Sequence, residues 1–131
     1  GKLRRGAAFV VIRADGALLA RTRPDKGLLA KMTEVPTTQW SHDFAESQAL
    51  KYAPLPNPPP QGVREDTFVW RRVPGVVTHV FTHFPLELVV YRASVPISTR
   101  APKGMRFIAA DEIEGEAFPN VMRKVIAHGR L

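Results

Sequence analysis

The chain has 131 residues and a mass of 14.6 kDa, which fits one domain. Its 44% hydrophobic residues can form a core, and 24% charged residues argue against global disorder. The longest apolar runs, Ala7–Ile12 and Leu86–Tyr91 (interrupted by Glu87), fall far short of the ~18 residues that span a bilayer, and no charged-then-apolar leader indicates secretion. With no cysteine, the chain itself holds no disulfide, thiolate zinc site, iron–sulfur cluster or cysteine nucleophile. Nineteen Lys and Arg against twelve Asp and Glu leave a charge of +7, and thirteen of the nineteen are Arg. That balance, with a pI near 10.4, admits two readings, a nucleic-acid partner or a soluble basic surface. Arg favours phosphates because its planar fork grips them bidentately. The start at Gly1 without Met, running straight into Lys2-Leu3-Arg4-Arg5, suggests a piece of a longer protein.

Ala7–Ile12 is rich in strand formers, Asp15-Gly16 is a hairpin signal, and Ala17–Arg23 reads as the return strand, stopped by Pro24-Asp25. Lys26–Met32 reads as a loop, and Thr33–Val35 as a brief strand that Pro36 ends. A helix is expected over Asp43–Tyr52, with Asp43 as N-cap and Glu46 at capping-box spacing. The Pro-rich stretch 54–62 reads as a loop inside one domain spanning 1–131, since the first 53 residues alone would be marginal. Thr67–Val73 is expected as a strand and Pro74-Gly75 as a turn. Val76–Phe81 and Phe84–Val95 follow as strands joined tightly at Thr82-His83. Met105–Ile108 is a short strand, Asp111–Glu116 an acidic turn, and Asn120–His128 a closing helix with Val121, Met122, Val125 and Ile126 inward. The sum is an α+β fold, a mainly antiparallel or mixed β-sheet packed by helices.

Few combinations of residues carry chemistry. Asp43, Glu46 and Glu34 could hold magnesium, although capping accounts for the first two without a metal. His42, His79, His83 and His128 lack zinc spacing, and the isolated glycines form no phosphate loop. Ser41-His42-Asp43 has the letters of a triad, but triads assemble across a fold rather than from neighbours. Phe81-Thr82-His83 stands apart, because a hairpin tip there offers a ring, a hydroxyl and an imidazole, the groups that stack on and hydrogen-bond to a nucleobase. The competing reading makes Phe81 and Phe84 core residues and Thr82 a turn residue.

Three segments resemble the C-terminal domain of bacterial A/G-specific adenine DNA glycosylases of the MutY type, a domain similar to Nudix hydrolases. They are Arg4–Phe9, the Gly27–Pro36 stretch, and Phe81-Thr82-His83, which resembles the Phe-Ser-His loop used there to recognise 8-oxoguanine. The closing Pro119–Lys124 also fits. Lys31 and Thr33 depart from the family's common Gly and Trp, Thr37 stands where Gly usually follows Pro, and Thr82 replaces Ser with its hydroxyl kept. The resemblance implies a Nudix-like fold and a role in base excision repair. It implies lesion recognition by Phe81, Thr82 and His83 on duplex DNA carrying 8-oxoguanine opposite adenine. Arg4, Arg5, Arg71 and Arg72 are candidates for DNA-backbone contacts. The resemblance also implies an absent N-terminal glycosylase domain as partner, holding the catalytic acids and a 4Fe-4S cluster, so that this chain carries no catalytic residue, cofactor or metal of its own. The expected setting is the bacterial cytoplasm, at the nucleoid and away from membranes. A Nudix-type hydrolase acting on diphosphate-linked nucleosides is one alternative. It is weakened because residues 37–53 hold only Asp43 and Glu46 as acids, where that chemistry needs Arg-Glu and Glu-Glu pairs. A protein-interaction domain using the Pro-rich segment is the other.

Overall fold

The computed structural model describes residues 1–55 and 68–130. Six strands form a mixed sheet: β1 (Arg4–Arg13), β2 (Leu18–Thr22), β3 (Thr33–Glu34), β4 (Arg71–Val80), β5 (Pro85–Val95) and β6 (Arg106–Ile108). Their order is β3-β2-β1-β5-β4, with β6 also on β2. The centre is a ten-residue parallel pairing of β1 with β5, from Arg4 opposite Leu86 to Arg13 opposite Val95, while the other pairings are antiparallel. Central strands covered on both faces need continuous apolar runs, and the chain supplies them. Ala8, Val10, Leu86, Leu88 and Val90 face one core, and Ala7, Phe9, Val11, Val89 and Tyr91 face the other.

The first core is covered by α1 (Asn120–Gly129), whose Val121, Met122, Val125 and Ile126 are all buried, on the expected stripe. The helix ends close to β1: a Cβ at Gly129 would stand 2.5 Å from Val10 Cγ2. The second core gathers Phe9, Trp70 and Tyr91, with Phe9 edge-on to Trp70 and stacked on Tyr91. The Asp15-Gly16 hairpin forms as expected, with Gly16 at φ 86° and Arg13 N–H donating to Ala17 O at 2.8 Å. The Arg13 guanidinium grips Asp15 and pulls its carboxyl down to about 2.

Two expectations require correction. Pro74-Gly75 does not turn the chain: β4 runs through it from Arg71 to Val80, with a register shift between Val73 and Val77. β4 is an edge strand, so the N–H that Pro lacks is not needed in a ladder, and Gly75 takes φ 87° to absorb the extra residues as a bulge. Thr67, the expected start of that strand, lies outside the described residues.

Residues 43–52 do not form a capped α-helix. A 3-10 helix covers Glu46–Tyr52, its N-cap is Ala45, and no side chain caps it. Asp43 instead accepts a 2.6 Å bond from Ser41 Oγ, which lowers its pKa, and Glu46 pairs with Arg72 at 2.7 Å. Only Ala49 of this helix is buried, so too little apolar area holds a longer α-helix. Of the Pro-rich stretch 54–62, residues 56–62 lie outside the described residues.

Candidate nucleic-acid interface

The β4–β5 connection is tight. Phe81 N–H donates to Phe84 O at 2.9 Å, and Val80 pairs with Pro85, so Thr82 and His83 stand exposed at the tip. Phe84 is buried, as the structural reading of this segment required, whereas Phe81 is half-buried. The Phe81 ring stacks on Trp40 at 5.9 Å, lies 5.1 Å from Phe84 and meets His79 edge-on at 4.7 Å. Phe81 is therefore the fixed base of the tip, and Thr82 and His83 are its free groups.

His79 is itself held in place. Lys124 Nζ on α1 lies 3.1 Å from His79 Nδ1 and donates to Thr78 O at 3.2 Å. Burial, then the Lys124 charge, pushes the His79 pKa below its ordinary value, which favours a neutral ring with Nδ1 as acceptor.

The arginines named from sequence divide between two ends of the sheet. Arg4 reaches the tip region, its guanidinium 4.1 Å from the centre of the Phe84 ring. Its neighbour Arg5 makes a loose 3.6 Å contact with Glu87, with both side chains substantially exposed. Arg71 and Arg72 begin β4, nine residues before its tip end, a separation of roughly 30 Å at ~3.3 Å per residue. Arg72 is also bound to Glu46. The structure thus brings Arg4 to Phe81–His83 and leaves Arg71 and Arg72 at the opposite end.

Sequence reasoning passed over Arg21, Arg23 and Trp40. Arg21 and Arg23, two apart along β2 and its continuation, project to the same face. Glu34, paired with Arg21 in the β2–β3 register, is 3% exposed and takes both guanidiniums, Arg21 Nε at 2.8 Å and Arg23 Nη1 at 2.7 Å. Arg23 also lies 5.3 Å from the Trp40 ring. Arg4, Arg21, Arg23, Glu34 and Trp40 line one cleft, and Trp40 is the wall it shares with the tip through Phe81. The available signal was Arg-Thr-Arg at strand spacing ahead of a lone glutamate.

In the Gly27–Pro36 stretch, Leu29 and Lys31 adopt φ of 55° and 63°, a left-handed region that favours glycine. The loop is held by Lys31 N–H on Pro24 O and by Arg23 Nε on Leu28 O.

A mixed sheet with the central parallel pair covered on both faces, joined to this tip and cleft, defines the class. The chain belongs to the NUDIX domain family, whose profile matches residues 7–128. Within that class its similarity is to adenine DNA glycosylases. It is 29% identical over 127 residues to human adenine DNA glycosylase, covering 91% of this chain and spanning 22% of that protein. The C-terminal domain of mouse MUTYH, solved in complex with human PCNA, superposes with a TM-score of 0.67 at 26% identity, over 95% of this chain and 86% of that one. A MutT NUDIX hydrolase from Burkholderia pseudomallei shares the fold, with a TM-score of 0.64 at 14% identity over 98% of both chains. Among the described residues, no three His, Cys, Asp or Glu side chains gather as a metal site, and no helix is long and apolar enough to cross a membrane.

Proposed function

We propose that this domain recognises 8-oxoguanine opposite adenine in duplex DNA on behalf of an adenine glycosylase. The observation that carries the reading is the tip. Phe81 is clamped between Trp40, His79 and Phe84, and it presents exposed Thr82 and His83 beside the cation of Arg4. Oxidation at C8 places a proton on N7, so an acceptor of guanine becomes a donor. The Thr82 hydroxyl or backbone carbonyl accepts that proton, whereas normal guanine presents only acceptors there. One such contact discriminates by about 1–3 kcal/mol. His83 adds a contact to a base edge or a phosphate.

The chain spans about a fifth of the human relative it matches. In this reading the excision of adenine, its catalytic acids and a 4Fe-4S cluster belong to a glycosylase domain of the same polypeptide. Arg4 and Arg5 serve the DNA backbone near the tip, whereas Arg71 and Arg72 lie at the far end of the sheet. In this reading the protein works where the DNA is, which in a bacterium is the nucleoid within the cytoplasm. In the assembled glycosylase, Thr82→Ala with His83→Ala should reduce the preference for adenine opposite 8-oxoguanine over adenine opposite guanine, and Thr82→Ser should be close to neutral. An unchanged preference in a folded double variant overturns the proposal.

Pyrophosphate hydrolysis is the second reading, favoured by the NUDIX match itself. Its carboxylates are poorly placed for it. Glu46 is held by Arg72 and Asp43 by Ser41, and the helix that would group such acids is a 3-10 turn. Metal-dependent turnover of nucleoside diphosphate derivatives, lost on Glu46→Ala, would establish it instead.

A further inference from the structure

The described ion pairs elsewhere in the chain join one guanidinium to one carboxylate, as in Arg13–Asp15, Arg72–Glu46 and Arg106–Glu116. At Glu34 one carboxylate serves two guanidiniums, and Arg4, which pairs with no described carboxylate, lines the same cleft. The cleft therefore carries an excess of two positive charges, next to side chains that are only 31% and 19% exposed for Arg21 and Arg23. Concentrating like charge in a partly desolvated place is unfavourable unless an anion completes it. The donors for an anion are present. Arg21 uses two of its five N–H groups, on Glu34 and Thr37 O, and Arg23 uses two, on Glu34 and Leu28 O. Glu34 fixes both guanidiniums in orientation, so binding does not have to order them.

We propose that the Arg4–Arg21–Arg23 cleft is a phosphate-binding subsite that takes a backbone phosphodiester of the DNA strand whose base meets Thr82 and His83. The cleft and the tip share the Trp40–Phe81 stack, and Arg4 touches both, so one strand crossing this end of the sheet engages them together. The choice of a phosphodiester over another phosphate rests on the DNA-binding reading. The presence of an anion subsite rests on the charge imbalance alone.

The test is NMR titration of this chain, reading the side-chain Nε–H signals of Arg4, Arg21 and Arg23 and the indole N–H of Trp40. The probes are the dinucleotide dTpdT, its uncharged methylphosphonate analogue, deoxyguanosine diphosphate and a duplex containing 8-oxoguanine opposite adenine. The proposal predicts saturable shifts at the arginines with dTpdT and the duplex, absent with the methylphosphonate. It also predicts that Arg4→Gln lowers the log–log salt slope of duplex binding by about one. Duplex-induced shifts at Thr82 and His83 with a silent cleft would overturn the subsite and leave the DNA reading standing. Shifts in the cleft with deoxyguanosine diphosphate but not with dTpdT or the duplex would overturn the phosphodiester assignment, and silence at both places would remove the subsite and the DNA reading together.

Discussion

The β4–β5 tip and the segment 41–52 carry similar kinds of groups under opposite arrangements. In the segment, Ser41, Asp43 and Glu46 satisfy one another or Arg72, so these three side chains are already engaged in structural contacts. At the tip and its cleft, a rigid aromatic cluster supports exposed Thr82 and His83, and guanidiniums outnumber carboxylates. The difference supports the proposed site: Ser41, Asp43 and Glu46 hold the fold, whereas positive charge and unused donors at the tip and its cleft are available to a partner.

The comparison can be broken most severely at Glu34. Glu34→Ala leaves Arg21 and Arg23 facing each other without their shared carboxylate, and should cost about 3 kcal/mol in denaturant unfolding, the scale of removing one partner from a buried ion pair. A loss below 1 kcal/mol would mean that the cleft does not need its counter-charge. Phe81→Ala should come next, at about 2 kcal/mol, since the ring is half-buried and a fully buried Phe costs roughly 3–5 kcal/mol. It should also loosen Thr82 and His83, visible as lowered backbone order parameters at the tip. Equal rigidity after truncation would show that the stack does not position the loop.

A smaller effect comes from pH. The His79 pKa is lowered on folding, so the unfolded chain binds the proton more tightly. Stability should be full above the ordinary value of about 6.5 and fall as pH drops through it. His79→Gln should flatten that limb of the stability curve, and an unchanged limb would show that the ring is not held neutral against Lys124.

Local signals were the ones legible in the sequence. The uninterrupted run of β1, the Asp15-Gly16 turn and the four inward residues of α1 each report their own periodicity or turn chemistry, and each formed as read. Pro74-Gly75 misled because its letters mean a turn in isolation, whereas an edge strand tolerates the missing N–H and a bulge absorbs the glycine. Asp43 and Glu46 misled because capping competes with other partners: Asp43 takes its neighbour Ser41, and Glu46 takes Arg72, which only the folded register brings near. The cleft was hidden for the same reason: Arg21 meets Glu34 through the β2–β3 pairing, and Trp40 meets Phe81 across forty-one positions of chain. The tip was visible because its three groups are adjacent.

The central claim is that Thr82 and His83 read the base. Fluorescence anisotropy at low salt can compare the affinity of this chain for a duplex with 8-oxoguanine opposite adenine and for the same duplex with guanine. The wild-type chain should prefer the lesion by roughly tenfold, one contact's worth. Thr82→Ala with His83→Ala should reduce that preference with little change in melting temperature, because an exposed tip buries little apolar area. A folded double variant that keeps the full preference, or a wild-type chain with none, would contradict the account.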